Sequence, residues 1–345
     1  YADDFGTRYI ATPAGVKRNA LLLGVGSDFT LGAGGLKLGL DYFARRSSHT
    51  DLDQGVRLML TAPLDGKGSS GWFASSSMFS DPVRVEAGYM YDDNVTRGRE
   101  ARNKLADHIF SVNVSKGHVF PVNANLRVVG SLFGGAEELH RYTGLGRVTG
   151  GGQAELQYRP SGDFDAITWG VFARIAGDYY DSSIRRGVRY HLAANARRSL
   201  TDRIEGFAAV FANVRDGKSA VFDLKDYGAK LNLDYSLGGP NGSLYAAGEY
   251  RRGDAVSSGR FSLDNIDVAD VFTPDEAFGA GFFAYRFDAK TWIGTLGYNK
   301  PLGPRDAIDF SYRRVQTYPN DRPPWLTGPF RYIDNQYSII YLMRF

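Results

Sequence analysis

The stretch DYGAKLNLDYSL, Asp226–Leu237, alternates without a break. Tyr227, Ala229, Leu231, Leu233, Tyr235 and Leu237 fall on one side of an extended chain, and Asp226, Gly228, Lys230, Asn232, Asp234 and Ser236 on the other. Side chains of a β-strand point to opposite faces in turn, so this segment is a strand with one greasy and one wet surface. The same period of two recurs along the chain. It runs through Leu36–Arg45, Val83–Asp92, Ile167–Asp178, Val188–Asn195 and Ile308–Arg313. Helical periodicity is almost absent.

Length of the alternating segments separates two all-β architectures. Strands of soluble sandwiches run about five to six residues, whereas a tilted strand crossing a bilayer needs about 9–11. Here the segments run roughly 10–14 residues, long enough to cross. Tyrosines such as Tyr42, Tyr89, Tyr158, Tyr190, Tyr227, Tyr250, Tyr298 and Tyr312 cluster near their ends, where an apolar ring with a polar tip suits the junction of hydrocarbon and water. In hydrocarbon every backbone N–H and C=O must be paired, so many strands without helices span only as a closed barrel. A soluble solenoid or propeller would show a fixed repeat of ~20–50 residues, and none is visible.

Composition excludes several other classes. The 345 residues include 42 Gly, 21 Tyr and 22 Phe, too many aromatics for a disordered chain. Without a cysteine there is no disulfide framework, thiolate metal site or cysteine nucleophile. The 41 basic and 38 acidic residues are spread along the chain, which argues against a nucleic-acid-binding stripe. No apolar run approaches the ~18–20 residues of a membrane-spanning helix.

Turn chemistry sets the expected strand count. Short Gly/Pro punctuation falls at Leu31–Gly35, Pro63–Gly68, Leu237–Gly242 and Leu302–Asp306. Longer polar stretches fall at Asn94–Lys104, Glu137–Val148, Arg215–Lys225, Asp254–Glu276 and Thr317–Arg331. Outer-membrane barrels have short periplasmic turns and longer outer loops. On that parity Gly71–Asp93 and Ala280–Asn299 are each one long strand. About 15 crossings are counted back from the C-terminus, and residues 1–17 supply a further strand or an N-terminal extension. The expectation is a single transmembrane antiparallel up-and-down barrel over residues 1–345 with 16 strands, 14 and 18 being the alternatives.

The chain ends YIDNQYSIIYLMRF, with Phe345 terminal and Met343, Tyr341, Ile339 and Tyr337 at alternating positions. This resembles the last strand of Gram-negative outer-membrane β-barrel proteins of the porin-like kind. The resemblance implies an outer-membrane location, contact with its lipids, and recognition of that strand by the barrel-assembly machinery. The stretches Tyr91–Glu100 (YDDNVTRGRE) and Phe330–Phe345 are also similar to barrels that follow tetratricopeptide repeats in surface-lipoprotein assembly and polysaccharide-export proteins. That second resemblance implies a repeat domain upstream.

If the apolar face meets lipid, the polar face lines a lumen. The lining expected by parity comprises Lys37, Arg45, Arg57, Arg84, Glu86, Arg127, Glu155, Arg174, Asp178, Arg189, His191, Glu205, Lys230, Asp234, Glu249, Arg251, Asp309 and Arg313. Such an interior holds water or paired charges, because unpaired buried charge is too costly. One reading is a hydrated passage for small polar solutes or an exported polymer. The other is a barrel closed by salt bridges until a periplasmic or extracellular partner engages it. The Asp254–Glu276 segment, with Phe261, Ile266, Val268, Val271 and Phe272, is apolar enough to fold inward or to meet a partner. None of the five histidines (His49, His108, His118, His140, His191) has a serine and an acid at a recognisable spacing, and GxSxG, HExxH and P-loop signatures are missing. No enzyme activity, cofactor or metal is therefore expected; Asp3–Asp4 and Asp92–Asp93 read as solvated loop carboxylates.

Overall fold

The computed structural model describes residues 21–31, 36–47, 50–61, 83–161, 165–238, 241–303 and 306–344, with side chains from residue 83 onward. Among these residues sixteen strands follow one another. They are β1 (Leu21–Leu31), β2 (Leu36–Ser47), β3 (Thr50–Thr61), β4 (Val83–Asp92), β5 (Asp107–Pro121), β6 (Leu126–Leu139), β7 (Arg147–Tyr158) and β8 (Thr168–Tyr180). The second half comprises β9 (Gly187–Ser199), β10 (Ile204–Gly217), β11 (Leu224–Ser236), β12 (Ser243–Arg260), β13 (Val271–Pro274), β14 (Phe282–Pro301), β15 (Asp306–Pro319) and β16 (Tyr332–Arg344). One short helix, α1 (Leu263–Val268), lies between β12 and β13.

Antiparallel pairing runs in chain order from β4 to β12, passes from β12 to β14, and continues through β15 to β16. Between Gln336 opposite Asp92 and Arg344 opposite Arg84, β16 pairs back onto β4 and closes the ring. Of the thirteen strands in this sheet, β13 pairs only with the far end of β14, so twelve form the closed barrel among the described residues. The expected count of 16, with 14 and 18 beside it, is corrected to twelve. The physical reason is the β16–β4 pairing: once it forms, the ring has no free edge, and β1–β3 pair with one another as a separate sheet.

Alternation along the ring strands matches the period read from the sequence. On β11 Tyr227, Ala229, Leu231, Leu233 and Tyr235 are all exposed, while Asn232 between them is buried. Leu132, Val210, Leu231 and Leu296 are all more than 60% exposed on the outer surface, which for a soluble protein would be an untenable apolar belt. Tyr158 pairs with Trp169 at one rim of this belt, and Tyr179, Tyr190 and Tyr227 stand at the other. Aromatic girdles at both edges are what a bilayer requires.

The connections fall into two groups at opposite ends. Turns at 122–125 and 200–203 are tight at one end, while 93–106, 261–281 and 320–331 at the other are long. Ala280–Asn299 is indeed one long strand, since β14 spans twenty residues. The early part of Gly71–Asp93 lies outside the described residues, as do Leu31–Gly35 in part, Pro63–Gly68, residues 1–17 and Phe345. Asp254–Glu276 is only partly loop: β12 continues to Arg260 because β14 stays paired with it as far as Phe282. This pair projects past the rest of the ring.

One inward glycine shows how closely side chains lie on the wall. Tyr245 of β12 stretches over Gly297 of β14 and donates from its hydroxyl to Asp309 Oδ1 of β15 at 2.8 Å. A Cβ at Gly297 would collide with the Tyr245 ring. Gly297→Ala is therefore expected to destabilise the barrel by about 1–3 kcal/mol, the usual penalty of overpacking. Tyr245→Ala should relieve most of that penalty in a double-mutant cycle read by urea titration, and strict additivity would refute the contact.

Candidate functional site: the lumen and its loop plug

The inward face carries a network that spans several strands. Asp178 lies 2.5 Å from Arg189 Nε and 3.6 Å from Arg147, whose guanidinium also holds Glu137 at 2.8 Å. Arg127 donates to Gln157 (2.7 Å), Gln157 to Glu155 (2.8 Å), and Asn195 reaches Glu155 from β9 (2.8 Å). His191 Nδ1 shares a 2.6 Å hydrogen bond with Asn213, which donates to Asp226. Glu205 pairs with Arg197 at 3.1 Å. Arg84 pairs with Glu86, and Arg251 with Glu249. Arg174 stacks over Phe133, 4.1 Å from its centroid. Lys230 sits opposite Glu249, Asn232 donates to Asp234, and Arg313 borders the central cavity.

Parity thus brings Arg84 and the expected residues after it onto one connected inward surface. Lys37, Arg45 and Arg57 belong to β2 and β3; the backbone places Arg45 opposite Asp53 and Arg57 opposite Asp41, and their side chains lie outside the described residues. Within the ring a cavity of about 2190 Å³, including space open to solvent, is bordered by Glu86, Arg197, Glu205, Lys230, Asp234 and Arg313. Both signs of charge and several hydroxyls line it, together with apolar side chains such as Leu145, Phe207 and Phe222.

At the long-loop end the barrel mouth is filled by its own chain. The 93–106 loop dips inward with Asn94, Thr96 and Asn103 essentially buried. Asn94 Nδ2 donates to the Ile333 carbonyl at 2.8 Å, and Arg97 bridges Asp92 (3.0 Å) and Asp334 (2.6 Å). Asp92, Asp93 and Asp334 come close together here, and the Arg97 guanidinium already supplies a cation to two of them. From the other side comes the β12–β14 projection. The Ser258 amide donates to the Thr96 carbonyl at 2.7 Å, and the Arg260 amide to Asn103 Oδ1 at 3.1 Å.

Ser258 is the hub where three loops meet. Its hydroxyl donates to Asp275 Oδ2 at 2.6 Å and accepts from Arg185 at 3.3 Å, while Arg185 also pairs with Asp275. Asp275 is fully buried. Apolar packing seals both flanks: Val268 of α1, Tyr285, Phe287, Phe330 and Tyr332 form one cluster, and Val221, Phe222 and Ala284 another. Of the residues flagged in Asp254–Glu276, Val268 is buried and Ile266 and Val271 pack beside these clusters, whereas Phe261 and Phe272 stay exposed.

The sequence reading missed Arg97, Arg185, Arg215, Ser258 and Asp275. Arg215 was within reach of parity, because Glu205, Phe207, Phe211, Asn213 and Arg215 follow one face of β10. It also opens the polar stretch Arg215–Lys225, which masks its place on the strand. Arg97, Arg185 and Asp275 sit in connections, where alternation carries no signal, and Ser258 sits in the part of β12 that runs on past the ring.

No protein-family model matches the chain, and no curated protein matches it. Among solved structures it is similar to an outer membrane channel from Pseudomonas putida F1, with 13% identity, 79% of this chain and 98% of that one covered, and a TM-score of 0.49. The KdgM porin in complex with disordered oligogalacturonate gives 10% identity over 76% and 99% of the two chains, TM-score 0.38. OccK11 (OpdR) of Pseudomonas aeruginosa gives 12% identity over 94% and 95%, TM-score 0.33. At these scores the likenesses add nothing to what the strand pairing itself displays. A greasy exterior, an interior lined with charges and two aromatic rims make the described ring a closed antiparallel β-barrel of the membrane-spanning kind.

Proposed function

We propose that the chain lies in the outer membrane of a Gram-negative bacterium and provides a gated passage for small polar solutes, acting as a conduit and catalysing no reaction. The observation that carries this reading is the cavity inside the ring beneath the loops, bordered by charged side chains of both signs. Twelve strands make an interior wider than the eight-stranded barrels that side chains fill, and narrower than the open channels of 16–18 strands. Wall charges held in pairs keep the cavity wet without loading it with one sign.

A second reading is favoured by the interlock at Ser258. A mouth held by three loops is also what a partner-dependent barrel needs, one used as a scaffold or in lipoprotein assembly or export and shut until a protein draws the loops apart. Lack of native cysteine makes the test clean. Thr96→Cys with Ser258→Cys, whose backbones touch, should form a disulfide that abolishes ion current in planar bilayers, with current restored on reduction. Current unaffected by the lock would show that the loops do not gate. A parent chain that stays shut at every voltage after reduction would favour the partner-dependent reading. Outward-facing Tyr337, Ile339, Tyr341 and Met343 suit recognition of the last strand during assembly, and replacing them together should cut membrane insertion in cells without altering refolding in detergent.

A further inference from the structure

We propose that the cavity beneath the plug binds a small anionic group, a carboxylate, sulfate or phosphate carried by a hydrated solute, and that Arg215 is the residue that selects it. This deepens the passage reading by naming a class of solute.

The argument is one of charge balance on a single wall. Arg147, Arg185 and Arg215 border the cavity together with Tyr180 and Phe222. Arg147 is matched by Glu137 and by Asp178, which it shares with Arg189, and Arg185 is matched by Asp275. Arg215 is not: among the described residues no carboxylate lies within ion-pair reach of it. Its guanidinium instead gives one N–H to the Arg185 carbonyl at 2.5 Å and rests 5.3 Å from the Tyr180 centroid and 5.8 Å from that of Phe222. Its Nε is buried with no acceptor. A half-buried cation held by ring faces and one carbonyl is under-compensated, and an anion brought beside it gains a charge-assisted hydrogen bond in a site of lowered dielectric. The guanidinium fork fits a planar carboxylate or a phosphate edge.

Glucuronate and glucose are suitable probes, being alike in size and different in charge. By titration calorimetry on the full chain in detergent, glucuronate should bind and glucose should not at matched concentration. Arg215→Gln should weaken glucuronate by about tenfold or more, the usual scale of one charged hydrogen bond, while Arg215→Lys keeps much of the affinity. Equal binding of the two sugars, or an Arg215→Gln chain that binds glucuronate as the parent does, would overturn the proposal. Retained heat-modifiable mobility in gels shows that either variant is folded. The outcome is separable from conduction. A barrel that binds glucuronate through Arg215 and never conducts sinks only the passage; one that conducts and ignores Arg215→Gln sinks only the anion site.

Discussion

Asp275→Ala is expected to raise the open probability of the barrel in planar bilayers by about two orders of magnitude. Asp275 is fully buried and takes both the Arg185 guanidinium and the Ser258 hydroxyl. Removing one partner of a buried pair leaves the other charged and desolvated, which costs about 3–5 kcal/mol. That penalty falls on the closed arrangement alone, because once the loops separate Arg185 meets water. Each 1.4 kcal/mol is a factor of ten in the equilibrium, so even the lower figure exceeds a hundredfold. Glu276→Ala, next door and exposed, is the control and should change little. An Asp275→Ala barrel that remains as shut as its parent while folded would mean that the hub does not hold the mouth.

The second large effect tests which face meets lipid. Leu231 is 65% exposed halfway along β11, and Leu231→Arg should destabilise the bilayer-inserted barrel by about 2–4 kcal/mol, the penalty of a cation near the midplane. Lys230→Gln, one residue away on the inward face, should stay within about 1 kcal/mol. Urea unfolding from lipid vesicles measures both. A large cost at Lys230 and a small one at Leu231 would reverse the inside and the outside of the molecule.

Much of this architecture could be read before any coordinates, for a definite reason. Alternation records that the two faces of a strand have different neighbours, so β11 and the long β14 stand out from residues alone, and Leu237–Gly242 announces its turn through Gly238 and Gly242, both at positive φ. Strand number is another matter. β1, β2 and β3 alternate much as ring strands do, and whether a strand joins the ring depends on which backbone edge it meets. The pairing of β16 with β4 is made by main-chain groups and has no side-chain signature. The plug was hidden for a related reason. Thr96, Arg185, Ser258 and Asp275 each look like ordinary polar loop residues, and only the folded ring brings them to one point.

Tyr245 reaching across β14 to Asp309, and Asn195 of β9 meeting Glu155 of β7 across Gly170, join strands that are not adjacent. Main-chain ladders act only between nearest neighbours and leave a hoop free to flatten into an oval. Struts that skip a strand oppose that flattening, so the cross-section keeps its roundness when lateral pressure in the membrane changes, and whatever moves to open the mouth moves on a rim that does not.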